Sequence, residues 1–405
     1  MDTIKKDGCR MDIERIRADT PCGNIYMNHA STSVPPLPVI QAAGRYYDII
    51  MRYGATSAKA EELTQKAYDL ALKRTAGLIH AKTSEIAFMP NGSMGIGLIA
   101  LGIPWKRGQN IILDEMSFIS NAAPWFQIRD LYGVEIRYAP AKLPGRIDCQ
   151  ALESLVDRST ALIAVTHSAN SLGVLQDVET AGQIAEEKKV RYLVDASGTI
   201  GAVEIDVTKL NCDYLAAAGR KYLRGPSGSG ILYVRESSQP ELRGSIPAWN
   251  SGVWDYRQGT FSYHRDMQKW NYGEKDYPAI FGLSEAVRYL EDIGGAVRVK
   301  DRIDLLAGRL ICQLQAIPGL QIIGPEEAEK RAGVVGICMK GKSAREIALY
   351  LNSHNVGMMG HHFFCPGIQK LFQIEGVARL SLHYWNTEEE IDYVADLLLR
   401  LQKGV

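Results

Sequence analysis

Between about residues 60 and 240 the chain alternates short apolar runs with helical patterns, and that alternation restricts its fold more than any other feature. "NIILDE" (110–115), "ALIAVTH" (161–167), "VRYLVDA" (190–196), "CDYLAAA" (212–218) and "GILYV" (230–234) have the length and composition of buried strands. "DVETAGQIAEEKK" (177–189) has apolar residues at helical spacing beside a charged flank. Strands and helices taken in turn predict an α/β chain whose mainly parallel sheet is covered by helices on both faces. Ligands of such sheets gather beyond the carboxyl ends of the strands. His167, Asp195 and Lys221 all fall at or just past those ends.

After residue 240 the pattern changes. Residues 244–266, "GSIPAWNSGVWDYRQGTFSYHRD", read as a long irregular, aromatic-rich segment. Helices are expected over 276–294 and 299–317, a strand over 333–341, a helix over 343–355, a strand over 376–385 and a capped helix over 387–403. The sequence therefore divides into an N-terminal segment (1–25) expected to pack with the small domain, a large domain (26–275), and a linker helix with a smaller C-terminal α/β domain (276–405).

Lys+Arg and Asp+Glu both total 46, a balance that asks for neither nucleic acid nor an anionic membrane. The charged N-terminus lacks the apolar stretch of a secretory signal, and no run is long enough to span a bilayer. Seven scattered cysteines without a CxxC fit neither a disulfide framework nor a zinc site, so no metal is expected. These features predict a reduced, cytoplasmic protein.

Taken singly, Asp195 in "LVDAS" reads as a cap or turn aspartate, and Lys221 as an ordinary lysine. Together they place an acid and an amine at neighbouring strand ends, the pair that pyridoxal 5'-phosphate needs. The lysine forms its Schiff base, and the carboxylate keeps its pyridine nitrogen protonated. Arg220 and Arg224 flank Lys221 and favour a lowered amine pKa. "FMPNGSMGIGLIALGI" (88–103) supplies a Gly/Ser turn opening an apolar helix, suited to the phosphate. The GxGxxG spacing of a dinucleotide site is not met there.

From "NHASTSVPP" to the C-terminal helix the chain resembles the fold-type I pyridoxal-phosphate enzymes of the class V aminotransferase superfamily. "HSANSLGV", "LVDAS", "GRKYLRGPSGSGILYV" and "RLSLHYWNT" carry the resemblance. It implies a large domain with a mainly parallel seven-stranded sheet, a smaller α/β domain, pyridoxal phosphate as cofactor, and a homodimer. It implies Lys221 as the Schiff-base lysine and Asp195 as the pyridine partner. Gly92, Ser93 and Met94 would form the phosphate turn, with Arg220 as a further phosphate contact. Phe118 would stack on the ring, and Asn170 would lie near the ring oxygen or substrate carboxylate. Arg379 would clamp that carboxylate, and His29 and Phe363 would border the substrate.

The chain also departs from the desulfurase pattern. "MGHHFFCPG" places Phe363 where a nucleophilic cysteine follows Gly-His-His, with Cys365 two residues on and His361 and His362 as pocket candidates. Gly198 replaces a usual glutamine, and Glu274 a phosphate-binding threonine from the partner. "GRKYLRGP" is most similar to ergothioneine-type C–S lyases. The implied activity is thus β-elimination from a cysteine conjugate or its sulfoxide, giving pyruvate and ammonia. The alternatives are a cysteine desulfurase-like, aminotransferase or isopenicillin N epimerase-like reaction.

Overall fold

The computed structural model describes residues 11–360 and 365–404. Seven strands form the principal sheet: β1 (Ile86–Met89), β2 (Asn110–Asp114), β3 (Glu135–Ala139), β4 (Thr160–Thr166), β5 (Arg191–Asp195), β6 (Tyr214–Ala218) and β7 (Gly230–Val234). Their order is β1-β7-β6-β5-β4-β2-β3, and only β7 runs antiparallel to its neighbours. All residues of β2, β6 and β7 are buried, as helices on both faces require of apolar strands. The fold-type I architecture expected from the resemblance is the one observed.

Small residues set how closely the layers approach. Ala216 of β6 faces the helix Gly92–Gly102, where a Cβ on Gly95 would lie 3.3 Å from the alanine methyl. The helix start is thereby drawn onto the sheet beside the carboxyl ends of β5 and β6. The amphipathic segment after β4 becomes the helix Val178–Lys188, capped by the Asp177 carboxylate.

Residues 244–266 are more regular than expected. They contain a hairpin of β8 (Gly252–Asp255) and β9 (Thr260–Tyr263). The Asp255 carboxylate accepts the Arg257 and Gln258 amides, and Gly259 takes φ +63°. The strands are four residues each and largely exposed, so they lack the apolar run that marks a buried strand.

A second, antiparallel sheet follows: β10 (Leu320–Ile323), β11 (Val334–Met339), β12 (Met359–Gly360) and β13 (Ala378–Ser381), in the order β10-β11-β13-β12. Helices Gly295–Gln315, Ala344–Ser353 and Glu388–Lys403 pack its core through Leu310, Leu314, Ile347, Val394 and Leu398. The N-terminal helix Ile13–Ala18 touches both parts: Ile16 joins the core of the large sheet, while Arg17 pairs with Glu390 at 2.7 Å. Among the described residues no helix is long and apolar enough to cross a membrane.

Candidate active site

Lys221 lies just past β6, in a turn made possible by Gly219, where a Cβ would sit 2.5 Å from Ser229 Oγ. It is 7% exposed and lines a cavity of about 460 Å³ with Asp195, Phe118, Gly92, Ser93, Ser120, Ser197 and Arg220. Its Nζ is 5.6 Å from the centroid of the Phe118 ring. Burial lowers the amine pKa to about 8, helped by the charges of Arg220 and Arg379 and opposed by Asp195.

Asp195 ends β5 as the register partner of Thr166 on one side and Ala216 on the other. One carboxylate oxygen accepts the Ser197 amide at 2.9 Å, which aims the side chain along the cavity floor. A Cβ on Gly198 would fall 2.4 Å from the Ser168 carbonyl oxygen, so no side chain, glutamine included, fits this backbone. Gly92 is also close-packed: a Cβ there would meet the Ser197 Oγ side-chain atom at 2.5 Å.

The helix Gly92–Gly102 begins at the cavity wall, with Asn91 as its cap. Asn91 Oδ1 accepts the Met94 amide at 2.8 Å, leaving the Gly92 and Ser93 amides for an anion. Met94 is thereby removed from the phosphate turn: its N–H is taken, and its side chain packs on the sheet core. Asn91 was missed from sequence, although an Asn directly before Gly-Ser at a helix start is a cap signal. Arg220 adds a cation at the same wall, its Nε bonded to Thr32 Oγ1 at 3.3 Å.

Arg379, on β13, is 3% exposed. Nη1 donates to the Asn170 carbonyl at 2.9 Å, and Nη2 to Asn28 Oδ1 at 2.7 Å and Ser31 Oγ at 2.5 Å. These acceptors are neutral and Nε has no partner, so among the described residues the cation is held without a counter-charge. Asn28 and Ser31 lie some 350 residues away in the chain, and nothing in the sequence marks them as its partners.

Other expectations do not converge here. His29 is fully buried, with Nδ1 bonded to Ser33 Oγ and Nε2 to the Tyr26 carbonyl, so neither nitrogen remains for a substrate. It packs edge-on against His383 and Trp385 beneath the site. His167 turns toward Thr199 Oγ1 at 3.0 Å, and burial pushes its pKa down to about 4. Cys365 is buried, its thiol donating to the Glu115 carbonyl at 3.6 Å, and burial pushes the thiol up to about 12. His361, His362 and Phe363 lie outside the described residues.

The donor set suits the cofactor implied by the sequence. An amine of lowered pKa, a buried carboxylate, an aromatic face, two unused helix-start amides and a cation share one cavity. The model of the class-V aminotransferase family matches residues 25–394. A probable cysteine desulfurase of Methanothermobacter thermautotrophicus is 30% identical over 405 residues, covering 96% of this chain and 98% of its own. A cysteine desulfurase of Cronobacter sakazakii is 28% identical over 417 residues, covering 96% and 98%. The apo structure of cysteine desulfurase from Thermococcus onnurineus NA1 superposes with a TM-score of 0.92 at 28% identity, covering 98% of this chain and all of the other. With a cavity of fitting chemistry and a family match over nearly its whole length, the chain belongs to the class-V aminotransferases, the pyridoxal-phosphate enzymes of fold-type I.

Proposed function

We propose that this enzyme removes sulfur from a cysteine-type amino acid, with Lys221 carrying the cofactor and acting as base, Asp195 facing the ring nitrogen and Arg379 binding the substrate carboxylate. The observation that carries the reading is the buried Lys221 amine, with a pKa near 8, sharing its cavity with Asp195. Pyridoxal phosphate, when bound, supplies the electron sink for charge developing at the substrate Cα.

Arg379 has the planar guanidinium suited to a carboxylate, held by the Asn170 carbonyl, Asn28 and Ser31 with no acidic partner among the described residues. Lys221, about half neutral at pH 8, takes the Cα proton and returns it, a task for which an ordinary lysine is too fully protonated. Phe118 walls the cavity against water on the side of the lysine amine. The Gly92 and Ser93 amides and Arg220 would hold the cofactor's phosphate.

Desulfuration is supported by the names of the relatives at 28–30% identity, which span nearly all of both chains. In that reaction the sulfur passes to a thiol and the carbon product is alanine. β-Elimination is the second reading, and Cys365 favours it: a buried thiol with a pKa near 12 offers no thiolate to receive sulfur. There the Cβ–S bond breaks, sulfur leaves on its own fragment, and the carbon product hydrolyses to pyruvate and ammonia. The same proposal includes a homodimer, supported by the exposed Trp249, Trp254 and Tyr256 in and beside the hairpin.

The test is to incubate the holoenzyme with L-cysteine, cystine and a cysteine S-conjugate and assay both product sets. Alanine with sulfane sulfur on a thiol establishes desulfuration; pyruvate with equimolar ammonia establishes elimination. Absence of both sinks the proposal.

A further inference from the structure

Four successive carbonyls around the cofactor lysine each receive a hydrogen bond. The Gly225 amide donates to Gly219 O at 2.8 Å, the Ser33 amide to Arg220 O at 2.8 Å, and the Arg224 amide to Lys221 O at 3.0 Å. The fourth, Tyr222 O, is bonded at 3.0 Å by a side chain, Nε2 of His383. Backbone donors survive any substitution but proline, so His383 is the point where loss of a side chain can release this turn.

His383 is fully buried, and its tautomer follows from its neighbours. The Tyr384 amide donates to Nδ1 at 2.9 Å, so Nδ1 is the acceptor and the proton sits on Nε2, aimed at Tyr222 O. The ring is tilted against Tyr222 at 5.2 Å and meets His29 edge-on at 4.9 Å. Burial holds both imidazoles neutral, reinforced by the Arg224 guanidinium. That guanidinium is itself fixed by the Val34 carbonyl, Tyr384 Oη and Thr20 Oγ1.

His383 also follows β13, the strand that presents Arg379. Its bond to Tyr222 thus links the residue beside Lys221 to the segment beside Arg379. We propose that His383 is a positioning residue, holding the Lys221 turn in register with the Arg379 strand. It touches neither substrate nor cofactor and acts through the Tyr222 carbonyl. The inference rests on the assignment of Lys221 as the cofactor lysine.

The test compares His383→Gln, which keeps an N–H at the end of a side chain of similar reach, with His383→Met, which fills the space without a donor. Each holoenzyme is titrated from pH 5 to 10 by its visible absorption, and the cofactor is then reduced with borohydride and mapped by mass spectrometry. The visible band reports protonation of the Lys221 nitrogen joined to the cofactor; loosening the turn admits water to that nitrogen and favours its charged form, so the midpoint of the methionine variant rises by about half a pH unit or more. That of the glutamine variant stays within about 0.2 units of the parent. An unmoved methionine variant, or equal shifts in both, overturns the inference and leaves Lys221 untouched. Label found on a lysine other than Lys221 in the parent overturns the site reading itself. Should the methionine variant not fold, nitrogen-15 spectra of the parent decide: a neutral Nε2–H His383 from pH 5 to 9 upholds the inference, and an Nδ1–H or titrating ring overturns it.

Discussion

The Asn170 carbonyl and Arg379 Nη1, 209 residues apart in sequence, meet at 2.9 Å and join the loop after β4 to β13. Around this bond the two parts of the chain are stitched by backbone. Leu175 N donates to Lys330 O, and Ala332 N to Gly173 O. Arg331, fully buried, donates to the carbonyls of Leu172, Val334, Ile323 and Pro325. The guanidinium proposed to bind the carboxylate is therefore positioned by the loop after β4 and the segment at Asn28 and Ser31 as well as by its own strand.

Gly173 is the narrowest point of that seam. Its φ is +70°, and a Cβ there would lie 2.5 Å from Val334 Cβ. Gly173→Ala should cost about 2 kcal/mol or more in urea unfolding, from strain and overlap together. Because Asn170 moves with the loop, the holoenzyme should also bind L-alanine more weakly, by about fivefold or more in a spectral titration. Unchanged stability and affinity would show that the seam relaxes freely.

The pKa of Lys221 makes a signed prediction for cofactor-free protein. The folded value near 8 lies below the unfolded value of about 10.4. Between these values the unfolded chain binds a proton that the folded chain does not, so this group's contribution to stability rises with pH from 8 to 10. Below pH 8 the burial penalty is present in full. Lys221→Met removes it and should melt above the parent at pH 7, with the gap closing toward pH 10. A gap independent of pH refutes the assignment.

Asp195→Asn keeps an oxygen for the Ser197 amide but removes the charge. Turnover of L-cysteine should fall by about 10²–10⁴, the range associated with losing a proton-holding group. Thermal melting should stay within a few degrees of the parent, which separates lost chemistry from lost fold.

Cys365 should resist alkylation in the folded protein. With a thiol pKa near 12, its thiolate fraction at pH 8 is about one part in ten thousand. Among the cysteines of the described residues, iodoacetamide followed by peptide mapping should modify the exposed Cys312 first. Cys365→Ser should lower stability by about 1–2 kcal/mol through burial of a hydroxyl, with cysteine turnover retained. Loss of turnover together with protein-bound sulfur in this variant would return Cys365 to the reaction.

The parts legible in sequence were those whose cause is local. β2, β4, β5, β6 and β7 announce themselves because strands buried on both faces become unbroken apolar runs. Asp195 stands out because one such run ends on it, and Lys221 because it follows another by three residues. The hairpin at 252–263 was hidden, since short exposed strands carry no such signature. Met94 misled because the Gly/Ser turn is visible in sequence, but the amide claimed by the Asn91 cap is not. His29 misled in the opposite way: a histidine beside a substrate-type motif turns inward once both its nitrogens find protein partners.

By itself, then, the sequence determined the long buried strands, the amphipathic helices between and after them, and which charged groups stand at or near strand ends, because these follow from neighbours within a few residues. Only the tertiary structure decided that Arg379 is held by Asn28, Ser31 and the Asn170 carbonyl, that no side chain fits at Gly198, and that Cys365 is a buried thiol. Those outcomes depend on contacts between segments hundreds of residues apart, where the space and partners left by one segment fix what another can do.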